Sequence, residues 1–170
     1  MRVLAIFCFF ISYSIFAKTC GLTGSIDERI KDCNQTNGEF SLVTSSESGV
    51  EIYKDLKSNL LWGSRIVSDF NHYSSQKACT DLIPEAQVLN SIDWRLPTIE
   101  EFKQAAEHGM KSSLPQMNYW FWSSSQVKIP RKMKRRGVMS QAYIWNGMEE
   151  KTDVGDLKDA ASVRCVGKIH

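Results

Sequence analysis

Four cysteines that lie downstream of a predicted export signal constrain the fold of this chain more than any other feature. They are Cys20, Cys33, Cys79 and Cys165. An even set of cysteines in an exported protein predicts two disulfides, because the compartment is oxidising. Four cysteines allow three connectivities, and proximity in sequence favours Cys20 with Cys33, which leaves Cys79 with Cys165. Closing this second, long loop would remove denatured-state entropy worth roughly 4 to 5 kcal/mol.

The export signal is the N-terminal segment of the chain. Arg2 precedes an apolar run from Val3 to Ile11, and Ala17 stands at a suitable cleavage position. This order of charged, apolar and small residues is typical of a secretory signal peptide. A membrane-spanning helix needs roughly 20 apolar residues, and this run is shorter. We therefore predict a signal peptide over residues 1–17, no membrane span after its cleavage, and a periplasmic, cell-surface or secreted protein.

A zinc site is the alternative use of the four mature cysteines. The chain has no C-x-x-C pair, and its histidines, His72, His108 and His170, do not have the spacing of zinc ligands. The sequence therefore predicts no metal and no cofactor.

Composition predicts a single compact domain with a short preface. The chain of 170 residues is 42% apolar and 24% charged, with a formal net charge of +2. This balance excludes a strongly basic nucleic-acid coat, so any charge-driven function must lie in a local patch. Residues 18–48 are polar and turn-rich, and we interpret them as a disulfide-tied lead-in to a domain over residues 49–170.

Hydrophobic patterns predict strands on both sides of two helices. The runs at Val50–Tyr53 and Leu60–Trp62 predict a hairpin with its turn at residues 57–59. Three more strands are predicted at Tyr119–Trp122, Ala142–Trp145 and Ser162–Val166. This order predicts an α+β fold, with the helices packed on an antiparallel sheet.

Capping residues mark the two helices. Ser74 or Ser75 can cap the first helix, which places Cys79 on its inner face and ends before Pro84. Thr98 and Glu101 form a capping box for the second helix.

The second helix also has a predicted apolar stripe and C-terminus. Phe102, Ala105 and Ala106 form the stripe, and Gly109 can supply a left-handed C-cap. His108 is expected to act as a cation at the negative end of the helix dipole, because no partner for it is evident in the sequence.

Five segments in order resemble one known family. The segments are Leu60–Trp62, Ala78–Cys79, Asp93–Glu101, Tyr119–Ser125 and Val163–Val166. They are similar to the ordered elements of the DUF1566 family, also described as the C-terminal domain of the Legionella collagen-like protein. The resemblance covers roughly residues 50–168.

The resemblance implies a C-type-lectin-like fold, which is also similar to that of formylglycine-generating enzymes. Two helices would pack on short antiparallel strands with long loops. A disulfide would join the first helix to the last strand, and this supports the pairing of Cys79 with Cys165. Calcium-dependent sugar binding is not implied, because Trp145-Asn146-Gly147 lacks the acidic residue of the lectin motif. Formylglycine-generating activity is not implied either. It needs a redox pair of cysteines in the active site, whereas the four mature cysteines of this chain are assigned to structural disulfides.

Three tryptophans and one arginine in these segments are expected to be structural. Trp62, Trp94 and Trp122 can fill a core of short strands and long loops. Arg95 is expected to donate its fork to backbone carbonyls or to a carboxylate such as Asp93.

A dense run of cations is the candidate ligand-binding segment. Five of the six residues from 131 to 136 are cationic: Arg131, Lys132, Lys134, Arg135 and Arg136. A loop of this kind between two strands suits sulfate, phosphate or carboxylate groups, because guanidinium groups bind oxyanions through two parallel hydrogen bonds. The alternative is a solvated loop, or one that meets acidic side chains of the same chain.

These observations predict an exported, non-catalytic recognition domain that binds sulfated or phosphorylated surface glycans. The association of the collagen-like relative with adhesion to sulfated polysaccharide points the same way. The alternative is a structural or protein-interaction module of the bacterial envelope. The partner would be an anionic polysaccharide or an envelope protein, and not a nucleic acid. The sequence carries no GxSxG or HExxH motif, and we predict no enzymatic activity.

Overall fold

The computed structural model describes residues 36–37, 39–45, 50–81, 92–130, 132 and 140–169. Its strands are β1 (Thr36–Asn37), β2 (Phe40–Ser45), β3 (Glu51–Asp55), β4 (Leu61–Phe70), β5 (Ile92–Arg95), β6 (Trp120–Gln126), β7 (Gln141–Asn146), β8 (Lys151–Asp156) and β9 (Ala161–Ile169). Its helices are α1 (His72–Asp81), α2 (Ile99–Glu107) and α3 (Met110–Ser113). The predicted signal peptide, Cys20 and Cys33 lie outside the described residues.

All nine described strands belong to one mixed sheet. Eight of them follow the order β1-β2-β3-β4-β9-β6-β7-β8, and β5 pairs with β9 beside this path. The pair β6–β9 is parallel, through Phe121 and Ser162, and the other pairs are antiparallel. Strand β9 therefore contacts three different strands and forms the centre of the sheet.

The predicted α+β, C-type-lectin-like architecture of two helices on short antiparallel strands is wrong. The structure is mostly a nine-stranded mixed sheet, in which β4 has ten residues and β9 has nine. Strand β8 is not predicted, because its sequence, KTDVGD, lacks the apolar alternation of a half-buried strand. Backbone pairing with β7 along six positions holds this strand in place instead.

Strands predicted from apolar patterns are confirmed. The hairpin consists of β3 and β4, and Asn59 in its turn has a φ of 59°. The three later strands correspond to β6, β7 and β9. The segment that we interpret as a lead-in contributes β2, which pairs with β3 and places the fully buried Phe40 in the core.

The two predicted helices are present, and one begins earlier than expected. Helix α1 begins at His72 because the Asn71 side chain accepts a hydrogen bond from the Ser74 amide at 2.9 Å, so neither Ser74 nor Ser75 is its cap. The capping box of α2 is confirmed, with both the Thr98 and the Glu101 hydrogen bonds formed. Gly109 has a φ of 83°, the left-handed conformation predicted for it.

Two hydrophobic clusters cover opposite faces of the sheet, because successive residues of a strand point to opposite sides. Val166 of β9 belongs to the cluster beneath α2 and α3, together with Trp62 and Phe102. Val163 and Cys165 belong to the cluster beneath α1.

The Cys79–Cys165 disulfide is present, as the resemblance implies. It joins α1 to the central strand across 86 residues of sequence. Within the described ranges, no helix is long and apolar enough to cross a membrane.

Candidate functional site

Most of the predicted cationic binding segment lies outside the described residues. This is the case for Arg131, Lys134, Arg135 and Arg136. Lys132 is described and is exposed to solvent. The segment follows β6 and precedes β7 in the chain.

The tryptophans that were expected to be structural pack inside the protein. Trp62 and Trp122 are fully buried, and the Trp122 Nε1 donates a hydrogen bond to the Phe70 carbonyl at 2.8 Å. Trp94 is half-buried and packs against the cluster beneath α1 and against a smaller cluster of Val43, Ile52 and Leu61.

Arg95 forms the expected fork, and its partner is Glu101 rather than Asp93. The Nη1–Oε2 and Nη2–Oε1 distances are 2.8 and 2.6 Å, and Nη1 also donates to the Leu96 carbonyl at 3.1 Å. Burial alone would raise the pKa of Glu101, but hydrogen bonds from Arg95 and Thr98 outweigh it and hold this pKa below its ordinary value. The Arg95 guanidinium thus stabilises the N-terminal cap of α2, and its fork binds Glu101 instead of a ligand.

A groove that sequence analysis did not identify lies at the end of the sheet opposite the β3–β4 turn. Its volume is about 500 Å³. Strand β4 supplies Arg65, Val67 and Asp69, and β9 supplies Ser162. Tyr119 and Trp120, at the start of β6, complete the wall.

Arg65 is held in one orientation by two contacts. Its guanidinium carbon lies 3.3 Å from the centroid of the Tyr119 ring, and its Nε donates to the Ser162 hydroxyl at 3.0 Å. No described carboxylate lies within ion-pair distance of Arg65, and its two Nη atoms have no hydrogen-bond acceptor among the described residues. The outer edge of a fixed guanidinium fork is therefore open to a ligand.

A second arginine lies beneath this end of the groove. Arg164 pairs with Arg65 across β4 and β9 and is fully buried. It donates to the carbonyls of Gly63 and Pro115, each at 2.6 Å. Burial lowers the pKa of Arg164 to about 10, so the group stays charged at neutral pH and adds to the positive potential around Arg65.

The two aromatic rings of the groove are unusually accessible. Tyr119 is 39% exposed and Trp120 is 40% exposed. The segment that carries them is fixed by the Arg164 bond to Pro115 and by a 2.9 Å hydrogen bond from the Gly147 amide to the Tyr119 carbonyl. Large aromatic side chains held at a solvent-exposed surface are typical of binding sites, because most such rings are otherwise packed in the core.

The residues of the groove carry no local sequence signal that identifies them as a site. The predicted strand Tyr119–Trp122 includes both rings, and its four consecutive aromatic residues show no polar–apolar alternation that would separate the exposed Trp120 from the buried Phe121 and Trp122. Arg65 gave no signal, because its partners Tyr119 and Ser162 are distant in sequence.

A second polar cluster lies away from the groove. His108 lies at the C-terminus of α2, the position expected for it, but its Nδ1 lies 2.7 Å from Oδ2 of the buried Asp55, a partner that the sequence did not indicate. Burial alone would raise the pKa of Asp55, but hydrogen bonds from Ser58, His108 and Lys57 hold it below its ordinary value.

The described part of the chain holds no group of three metal-ligating side chains.

The Asn146 side chain of the Trp145-Asn146-Gly147 segment accepts hydrogen bonds from the amides of Met148 and Glu149 and so stabilises the turn into β8.

No family model matches the chain, and no curated protein is significantly similar to it.

Proposed function

We propose that this protein is an exported, non-catalytic recognition domain that binds anionic glycans. The observation that carries the proposal is the Arg65 guanidinium, which is fixed by Tyr119 and Ser162 and opens into a groove beside the half-exposed Trp120. An oriented, partly desolvated arginine fork binds a carboxylate or another oxyanion more strongly than a mobile surface lysine does.

The aromatic rings of the groove favour a sugar that carries an anionic group over a simple anion as the ligand. The face of an aromatic ring carries negative quadrupole charge and attracts weakly positive C–H groups. A pyranose ring presents such C–H groups on one face and hydroxyl groups around its rim. Trp120 and the ring of Tyr119 therefore offer an apolar platform next to the cation that binds the acidic substituent.

The cationic segment 131–136 is proposed as a second, less specific contact. Its five cations, of which Lys132 is exposed, would attract the same polymer over a distance of about one Debye length, roughly 8 Å at physiological salt. Interactions of this kind are strongly screened by salt, whereas a desolvated fork is screened much less. We therefore expect the two contacts to differ in their salt dependence.

Membership in the DUF1566 family is also proposed. The support comes from the order of the matched segments and from the Cys79–Cys165 disulfide. The proposal concerns ancestry and does not include the lectin-like architecture.

A structural or protein-interaction module of the envelope is the second candidate. Two exposed apolar side chains favour it, Val67 at 69% and Tyr73 at 80% exposure. In this case Val67 and Trp120 would contact a protein partner, and Arg65 would contact its acidic side chains.

The test is binding of the mature, oxidised protein to an immobilised sulfated or uronate-containing polysaccharide over a series of salt concentrations, with neutral dextran as the polymer control. We compare Arg65→Gln with a variant in which the five cations are changed to serine. Lys57→Gln is the matched control, because Lys57 is an exposed cation in the turn at the other end of β4.

We expect Arg65→Gln to lose most of the binding that persists at high salt, and the five-serine variant to lose most of the binding at low salt. Arg65→Lys should behave like Arg65→Gln, because lysine keeps the charge but not the planar fork. Equal binding by all of these proteins, or no binding to any polysaccharide, would reject glycan recognition and favour the protein-interaction module.

A further inference from the structure

We propose that the groove selects glycans in which acidic rings alternate with neutral rings, over glycans that carry an acidic group on every ring. This inference rests on the proposed function, because it concerns the ligand of the same groove. It is carried by the presence of one cation and one anion, Arg65 and Asp69, among the residues that line the groove.

The Arg65 end has room for a single acidic group. Tyr119 covers one face of the guanidinium and Ser162 occupies its Nε. The two Nη atoms remain, and together they form one bidentate site for one carboxylate.

The other end of the groove carries an uncompensated negative charge. Asp69 is exposed and has no ion-pair partner among the described residues. It lies four residues beyond Arg65 along β4, which corresponds to a separation of at most about 13 Å along the strand. A glycan that runs along the groove from Arg65 therefore brings a later ring close to Asp69.

Charge then decides which ring is accepted near Asp69. A second acidic ring would place like charges together, which disfavours binding. A neutral ring can instead donate hydroxyl or amide N–H groups to the carboxylate. Val67, which lies between the two charges on β4, and Trp120 present apolar surface in the same groove, which suits the C–H face of a sugar and solvates no charge.

The experiment measures the affinities of two oligosaccharides of equal length by titration calorimetry at one ionic strength. One is a hyaluronan oligosaccharide, in which uronate alternates with neutral N-acetylhexosamine, and the other is an oligogalacturonate, in which every ring carries a carboxylate. Each is measured with the wild-type protein, with Asp69→Asn and with Asp153→Asn. Asp153 is an exposed carboxylate on the edge strand β8 and serves as the matched control.

The decisive quantity is the ratio of the two affinities. The cationic segment is the same in all three proteins, so its contribution to this ratio cancels when the variants are compared. We expect Asp69→Asn to shift the ratio about tenfold towards the oligogalacturonate, because it removes the like-charge repulsion. Asp153→Asn should leave the ratio unchanged.

The outcomes separate this inference from the proposed function. If both glycans bind the wild-type protein and Asp69→Asn leaves the ratio of their affinities unchanged, the selectivity is overturned and glycan recognition stands. If neither glycan binds the wild-type protein, both proposals fail. Thermal unfolding of each variant checks that the fold is retained.

Discussion

His108 Nδ1 and Asp55 Oδ2 lie 2.7 Å apart although 53 residues separate them in the sequence. The same carboxylate accepts hydrogen bonds from the Lys57 amide and the Ser58 hydroxyl, at 2.9 and 2.6 Å. Asp55 is almost fully buried. One side chain therefore fixes the β3–β4 turn and the C-terminus of α2 to each other.

Removal of this carboxylate is expected to destabilise the protein strongly. Asp55→Ala should lower the free energy of unfolding by about 3 kcal/mol, because three partly buried donors lose a charged acceptor at once. His108→Ala should cost less, about 1 kcal/mol, because Asp55 keeps its other hydrogen bonds. Urea denaturation of both variants and of the double variant measures the coupling. A loss below about 0.5 kcal/mol in Asp55→Ala, the size of an ordinary surface change, would contradict this role.

The buried His72 makes stability depend on pH. Its Nε2 donates to the Ser123 carbonyl at 2.9 Å, and burial holds the pKa of His72 below its ordinary value of 6.5. As the pH falls below about 6.5, the unfolded chain takes up a proton that the folded chain excludes, so folding stability decreases. The contribution of His72 is therefore present above about pH 6.5 and is lost as the pH falls towards the lower folded-state pKa.

His72→Gln should flatten this dependence. Glutamine can keep a donor to Ser123 but does not titrate. We expect the wild-type protein to lose more stability than the variant between pH 7.5 and pH 5.5, by at most about 1.4 kcal/mol per pH unit for one proton. Denaturation curves at the two pH values measure the difference. An equal loss of folding stability in the wild-type protein and the variant would show that His72 does not cause the pH dependence.

The disulfide between α1 and β9 should contribute a large part of the stability. Replacing both Cys79 and Cys165 by alanine is expected to cost about 4 to 5 kcal/mol, because the unfolded chain regains the entropy of an 86-residue loop. Guanidinium denaturation of the oxidised proteins measures this cost. Changing Cys20 and Cys33 to alanine in a second variant is the control for cysteine replacement, and an equal cost in the two variants would contradict the expectation.

Gly147 links the stability of the sheet to the shape of the groove. A Cβ at this position would lie 1.9 Å from the Met117 carbonyl oxygen, so Gly147→Ala must displace the segment that carries Tyr119. We expect a loss of about 2 kcal/mol together with weaker glycan binding. Met148→Ala, at an exposed neighbouring position, should change neither. An unaltered unfolding midpoint and affinity in Gly147→Ala would show that the segment accommodates the methyl group.

Elements whose signal is local were predictable from the sequence. The capping box at Thr98 and Glu101 uses residues three apart, and the left-handed Gly109 is a property of one residue and its helix. Apolar runs such as Ala142–Trp145 identified their strands because buried side chains dominate those segments.

What depends on distant contacts was not predictable in the same way. Strand β8 is polar and exists through its pairing with β7. The position of β9 beside β4, β5 and β6 follows from the packing of the whole sheet, so the predicted architecture had too few strands and lacked the large mixed sheet. The groove is of the same kind, because Arg65, Tyr119 and Ser162 come together only when three strands have assembled.

The central position of β9 has a consequence for the synthesis of the protein. A nascent chain that ends before Ala161 contains β4, β5 and β6 but lacks the strand that all three need as a neighbour. Their unpaired edges are templates for association with other chains. The ribosome must therefore release nearly the whole domain before the sheet can close, and contacts of such long sequence separation form slowly. During that interval we expect this protein to associate with other chains more readily than a domain built from successive local hairpins does.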